Sequence, residues 1–120
     1  MMTEIDQIMK GNVTPLFTDL AATATSGRID CRGYNAILID VEFSGAANWT
    51  FKLQGSLTEH GTYKDLYEQE NTGAMTLMSY QCNGSRMFLF KGIPDWVKIV
   101  ATEDVEGQSV TIKVQPLNAG

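Results

Sequence analysis

Residues 36–57 read AILIDVEFSGAANWTFKLQGSL, and their period decides the fold class. Ile37, Ile39, Val41 and Phe43 stand at even spacing, with Ala36, Leu38, Asp40 and Glu42 between them. After SGAAN the pattern resumes: Trp49, Phe51, Leu53 and Leu57 alternate with Thr50, Lys52, Gln54 and Ser56. Successive strand side chains point to opposite faces, so a period of two is a strand with one dry face. The two runs, joined by small residues, are expected to form a hairpin.

The theme repeats outward from this pair. TYKDLYE, AMTLMSY, RMFLFKG, DWVKIVAT and SVTIKVQP follow, separated by the breakers NTG, CNGS, GIP and DVEGQ. Val97, Ile99 and Ala101 share a face, as do Val110, Ile112 and Val114. Pro94 and Pro116 bracket the last two strands, at ends where a missing N–H is tolerated. About eight strands and no long helix follow from this spacing, and one-sided strands bury their apolar faces by stacking two sheets. The expected fold is all-β: an antiparallel β-sandwich, wound as a jelly roll, with an immunoglobulin-like order as the competitor.

Upstream the pattern fails. TEIDQIMK, residues 3–10, can make one or two helical turns, with Thr3 as N-cap, Gly11 as stop and Ile5, Ile8 and Met9 as an apolar stripe. So short a helix needs a surface to pack on. It is either a frayed tail or an arm that docks on the domain or on a neighbour. Residues 12–28 are rich in Thr, Ala and Ser, with Pro15 blocking a helix, and read as an extended lead-in with an edge strand around residues 20–25. The expected division is an N-terminal arm over 1–25, presenting Ile5, Ile8, Met9, Leu16 and Phe17, and a β-sandwich domain over 26–120.

The chain has 120 residues, the size of one domain. Its net charge of −5 and its lack of any Lys/Arg cluster argue against nucleic acid as a partner. No apolar run approaches the ~18 residues that a membrane helix needs, and the first residues lack the apolar core of a secretory signal. Assembly in a cytoplasm is expected. Cys31 and Cys82 are too few for a disulfide scaffold and read as small buried hydrophobes, though one bridge is open if their strands are neighbours. The N-x-S/T sequons at Asn12, Asn48 and Asn83 read as chance without a signal.

Catalytic chemistry is hard to assemble. His60 is the one histidine, in LTEHGTY, and reads as an exposed turn residue; zinc needs three or four ligands. No G-x-S-x-G, P-loop or G-x-G-x-x-G occurs. Asp40 and Glu42 lie about 7 Å apart on one strand face, as solvated acids commonly do. Glu103, Asp104 and Glu106 lack the ligand order of a calcium loop and read as a hairpin tip, with Gly107 at a left-handed position. No cofactor or metal is expected, and the chain is not expected to be an enzyme.

Two leads remain. Trp96, Tyr63 and Tyr67 are a possible ligand platform, since sugars stack on aromatic faces; the alternative is packing. MTLMSY and RMFLF are apolar on both faces, through Met75, Met78, Met87, Phe88 and Phe90 among others. A strand apolar on both faces needs a cover on each side, which suggests assembly with another subunit.

Residues 26–117 carry a resemblance. The D-x-x-G-Y lead at Asp30, Gly33 and Tyr34, the alternating strand, the small-residue turn, the QGS-x6-Y run from Gln54 to Tyr63 and the closing V-T-I-x-V at 110–114 look like small β-sandwich virion proteins of tailed bacteriophages. The resemblance implies capsid decoration, head-fibre or tail-accessory roles and transfers no catalytic residues. It implies a non-enzymatic structural protein of the virion, most simply an accessory capsid protein. The implied partners are the major capsid protein and further copies of itself, with no membrane. The alternative is a carbohydrate- or receptor-binding module of a tail or fibre.

Overall fold

The computed structural model describes residues 11–20, 23–43, 49–69, 72–82, 84–102 and 110–119. Within them lie twelve strands: β1 (Thr14–Leu20), β2 (Ala24–Thr25), β3 (Ile29–Asp30), β4 (Ala36–Phe43), β5 (Trp49–Ser56), β6 (Lys64–Asp65), β7 (Tyr67–Gln69), β8 (Met75–Leu77), β9 (Ser79–Cys82), β10 (Arg86–Lys91), β11 (Trp96–Ala101) and β12 (Val110–Leu117). One sheet, A, runs β1-β12-β4-β10. The other, B, runs β2-β11-β5-β6, with β3 also on β11 and β9 also on β5. β7 and β8 form a separate hairpin, and the described pairings are antiparallel.

The alternation in the sequence becomes burial. Ile37, Ile39, Val41 and Phe43 of β4 and Val110, Ile112 and Val114 of β12 face Trp49, Phe51 and Leu53 of β5 and Val97, Ile99 and Ala101 of β11 in one core. β-branched residues supply most of the aliphatic part, as half-buried pleated surfaces favour. Phe51 sits at the aromatic end, with ring centroids of Trp49 at 5.6 Å, Phe88 at 5.3 Å, Tyr80 at 6.1 Å and Phe90 at 6.4 Å.

The sandwich is as expected, but the expected hairpin is not there. β4 pairs with β12 and β10, whereas β5 pairs with β11, β6 and β9, so the chain changes sheets between Phe43 and Trp49. β11 and β12 likewise lie in different sheets, which removes the expected hairpin there; residues 103–109, with Gly107, lie outside the described residues. Alternation fixes which face of a strand is dry; it says nothing about the partner along its edge. The observed pairs nest instead: β1 with β12, β2 and β3 with β11, β4 with β10, and β5 with β9.

The N-terminal boundary also moves. β1 pairs with β12 from Thr14 opposite Val114 to Leu20 opposite Val110, and Phe17 is buried in the core with Leu16 packed against it. Leu16 and Phe17 therefore belong to sheet A and not to a free arm, because an apolar strand gains more by filling the dry face than by standing in water. Gly11 is tied down too: its N–H donates to the Pro116 carbonyl at 2.6 Å, and Gln115 Nε2 donates to its carbonyl at 3.0 Å. Ile5, Ile8 and Met9 lie outside the described residues. Leu57, expected on the core face, is 83% exposed, since β5 ends one residue earlier and the alternation ends with it.

Candidate docking surface

The outer face of sheet A is built by the residues that alternate with the core. β4 presents Leu38, Asp40 and Glu42, β10 presents Met87 and Leu89, and β12 presents Thr111, Lys113 and Gln115. Register sets Leu89 and Gln115 on either side of Leu38, and Met87 and Lys113 on either side of Asp40. Met87 is 63% exposed, Leu89 46% and Val13 58%. Val13, Leu38, Asp40, Met87, Lys113 and Gln115 line a shallow groove of about 130 Å³. The face thus carries apolar residues beside both signs of charge.

Of the residues expected to form an apolar surface, the structure separates two sets. Met78 and Phe90 are buried and Phe88 is half-buried against the core, so these three are structural. Met87 is on the outer face of sheet A, and Met75 is exposed on the β7–β8 hairpin. RMFLF looks apolar on both faces, yet it obeys the period of two: Phe88 and Phe90 oppose Ile39 and Ile37, while Met87 and Leu89 oppose Asp40 and Leu38. Counting parity within that run would have added Leu89 to the surface. Val13 carries no periodic signal of its own.

Beside β10 the sandwich is open. Tyr80, Phe88, Phe90, Met78, Glu68 and Lys91 line a groove of about 380 Å³ between the two sheets. The Tyr80 and Phe90 rings lie 4.6 Å apart, and the Arg86 guanidinium sits 5.7 Å from the Phe88 ring. Burial first, and then the Glu68 carboxylate, push the Tyr80 phenol above its usual range.

The outer face of sheet B is polar, and it does not assemble the expected platform of Trp96, Tyr63 and Tyr67. Trp96 is 7% exposed, with the Arg32 guanidinium 4.8 Å over its ring. Asp30 fixes that guanidinium: Arg32 Nε and an Nη donate to its carboxylate at 2.9 and 2.8 Å, and the Arg32 N–H donates at 3.1 Å. These bonds hold the Asp30 carboxyl below its usual range. The D-x-x-G-Y lead is the turn that makes this possible, with Gly33 at φ 83° in the region that glycine enters without strain. Tyr63 is capped by Lys98 Nζ at 4.3 Å from its ring, and its hydroxyl donates to the Glu59 carbonyl at 2.9 Å. Tyr67 is on the β7–β8 hairpin. Lys52 and Gln54 hold Asp65 at 3.1 and 3.0 Å, which lowers the Asp65 carboxyl, the Gln54 bond first.

His60 is exposed at a loop, where Arg28 donates to Nδ1 at 3.0 Å and Glu59 lies 3.7 Å from Nε2. Among the described residues no three of His, Cys, Asp and Glu come together as a metal site, and no helix is long and apolar enough to cross a membrane. Cys31 is a buried free thiol.

No protein-family model matches the chain, and no curated protein matches it. Among solved structures, the crystal structure of the SPBc2 prophage-derived protein YomS is similar in fold, with a TM-score of 0.66 and 12% identity over 92% of this chain and 95% of that one.

Proposed function

We propose that the chain is a non-enzymatic structural protein of a phage or prophage particle, and within that class an accessory capsid protein. The observation that carries this reading is the outer face of sheet A. Its apolar strip of Val13, Leu38, Met87 and Leu89, beside Asp40 and Lys113, supports a role in docking. The fold shared with a prophage-derived protein supports it, as do the turn and strand motifs over residues 26–117. The proposed partners are the major capsid protein and other copies of this chain, with neither nucleic acid nor membrane involved. Many weak contacts at repeated sites would add through multivalency. Residues 1–10 enter the domain at Gly11, close to Val13, and Ile5, Ile8 and Met9 would extend the same contact.

The test is the copy number of this chain in purified particles, measured by mass spectrometry against the major capsid protein. Copies comparable to the capsid protein support decoration. A few per particle move the role to fibre or tail. Absence from the particle overturns the reading. Deletion of residues 2–10 with undiminished particle binding removes the arm from it.

A further inference from the structure

We infer that β10 is the seam of a two-fold dimer, in which sheet A of one copy joins sheet A of a second copy through antiparallel pairing of their β10 strands. This rests on the edge of β10 and not on where in a particle the chain resides.

The described edges are not alike. β1, at the far side of sheet A, carries Pro15 and two register breaks, between Pro15 and Phe17 and between Phe17 and Leu20. In sheet B the outer positions are taken by pieces of two to four residues, β2, β3, β6 and β9. Short strands, proline and bulges are the usual protections of an exposed edge. β10 has none of these three, and its charged residues, Arg86 and Lys91, stand only at its two ends. It pairs with β4 through six consecutive residues without a shift, from Arg86 opposite Val41 to Lys91 opposite Ala36, and no described strand pairs with its other side.

A two-fold axis through an antiparallel pair keeps inner faces with inner faces only when it passes through a residue. With the axis at Phe88, Met87 lies opposite Leu89 of the second copy, twice over, so both exposed apolar residues of the strand gain an apolar cross-strand neighbour by one operation. The Phe88 rings then meet on the inner side and extend the aromatic groove. Arg86 faces Phe90 of the second copy and Lys91 faces Ser85, so the two cations at the ends of the strand never oppose each other. An axis at Leu89 sets Met87 against Lys91 instead and leaves that apolar residue unmatched.

A six-residue seam is small beside a standard interface of roughly 1,600 Å², so the dimer should depend on concentration. The test is sedimentation velocity on the purified chain over a concentration series, with far-UV circular dichroism to check folding. The wild-type mass should rise from 13.2 kDa towards twice that value. Met87→Lys with Leu89→Lys, at two exposed positions, sets cation against cation and should hold the mass at one chain. Met87→Glu with Leu89→Lys sets opposite charges across the seam and should restore the doubling. A wild-type chain that stays monomeric up to its solubility limit overturns the inference. So does a dimer indifferent to the first variant, or a failure of the second to recover it. Copy number in particles is a separate measurement, so the two readings can fail independently.

Discussion

The Ser26 hydroxyl accepts the Ile99 N–H at 2.9 Å, while the Ser26 N–H donates to the Ile99 carbonyl at 2.8 Å. The pair sits where the edge of sheet B slips by one residue: Val100 opposes Thr25, but Val97 opposes Ile29. On the regular side of the slip the backbone would close both bonds; here the side chain supplies one acceptor and passes its own proton to the Gly27 carbonyl at 2.9 Å. Ser26 is a buried polar residue because of this. Ser26→Ala leaves a buried N–H unmatched and should cost about 1–3 kcal/mol. The loss is read from the shift of the urea midpoint at unchanged slope.

That slip also marks what the sequence could not disclose. Parity along β4, β5, β11 and β12 placed the inward residues correctly, because burial follows alternation one strand at a time. Partners did not follow, because Ile37 and Phe51 carry the same apolar signal whether their strands share a sheet or face each other across the core. Phe17 was missed as core since its neighbours, Thr14, Pro15 and Thr18, do not alternate cleanly. Trp96 stays open between platform and packing in the sequence because nothing in its own strand announces a cover; Arg32, which covers it, lies 64 positions upstream and is aimed by the Asp30 turn. On the docking face, Met87 was legible but its companions Leu38 and Val13 became a surface only once β4 and β10 were neighbours.

Phe51 is the joint between the sheets at the aromatic end, fully buried among Trp49, Tyr80, Phe88 and Phe90. Phe51→Ala should cost about 3–5 kcal/mol, lost transfer energy plus a cavity whose aromatic walls relax poorly. Phe51→Leu should cost less, since it keeps most of the volume. Thermal melts followed by near-UV circular dichroism would report both the stability and the loss of fixed ring packing.

Gly55 is set by space, not by backbone freedom. A Cβ there would stand 2.5 Å from Pro94 Cγ and 2.8 Å from Leu66 Cδ2. Gly55→Ala should therefore destabilise by about 1–3 kcal/mol. Pro94→Ala removes the closest atom, and the Leu66 side chain can turn aside, so the double variant should recover a large part of that loss. A double-mutant cycle measures the coupling, and additivity of the two changes would show that the contact is not the cause.

The Arg32 guanidinium shields Trp96, and Asp30 holds it there. Asp30→Asn removes the charge from the fork and Arg32→Ala removes the lid. Both should raise acrylamide quenching of tryptophan fluorescence, Arg32→Ala the more, with the increase assigned to Trp96 because Trp49 is fully buried. In a Trp49→Phe background the effect should persist. Equal quenching in wild type and Arg32→Ala would mean that the guanidinium does not cover the ring.

Cys31 follows β3 and is fully enclosed, and its N–H donates to the Asp95 carbonyl at 2.8 Å. Burial, with smaller contributions from the Asp30 and Asp95 carboxylates, pushes the thiol up to about 12 from an ordinary value of 9.0. Since the thiolate is the nucleophile, Cys31 should resist thiol reagents at neutral pH in the folded chain and react on unfolding. The clean measurement uses a Cys82→Ser background, where any fast native-state labelling would contradict the buried thiol. The same shift has a sign in stability. A group whose folded value is raised keeps its proton in the native state while the unfolded chain releases it, so its contribution is complete below about 9 and declines as pH rises towards 12. Cys31→Ala abolishes that titration. It should flatten the alkaline fall in stability relative to the parent, whatever it costs in packing at neutral pH.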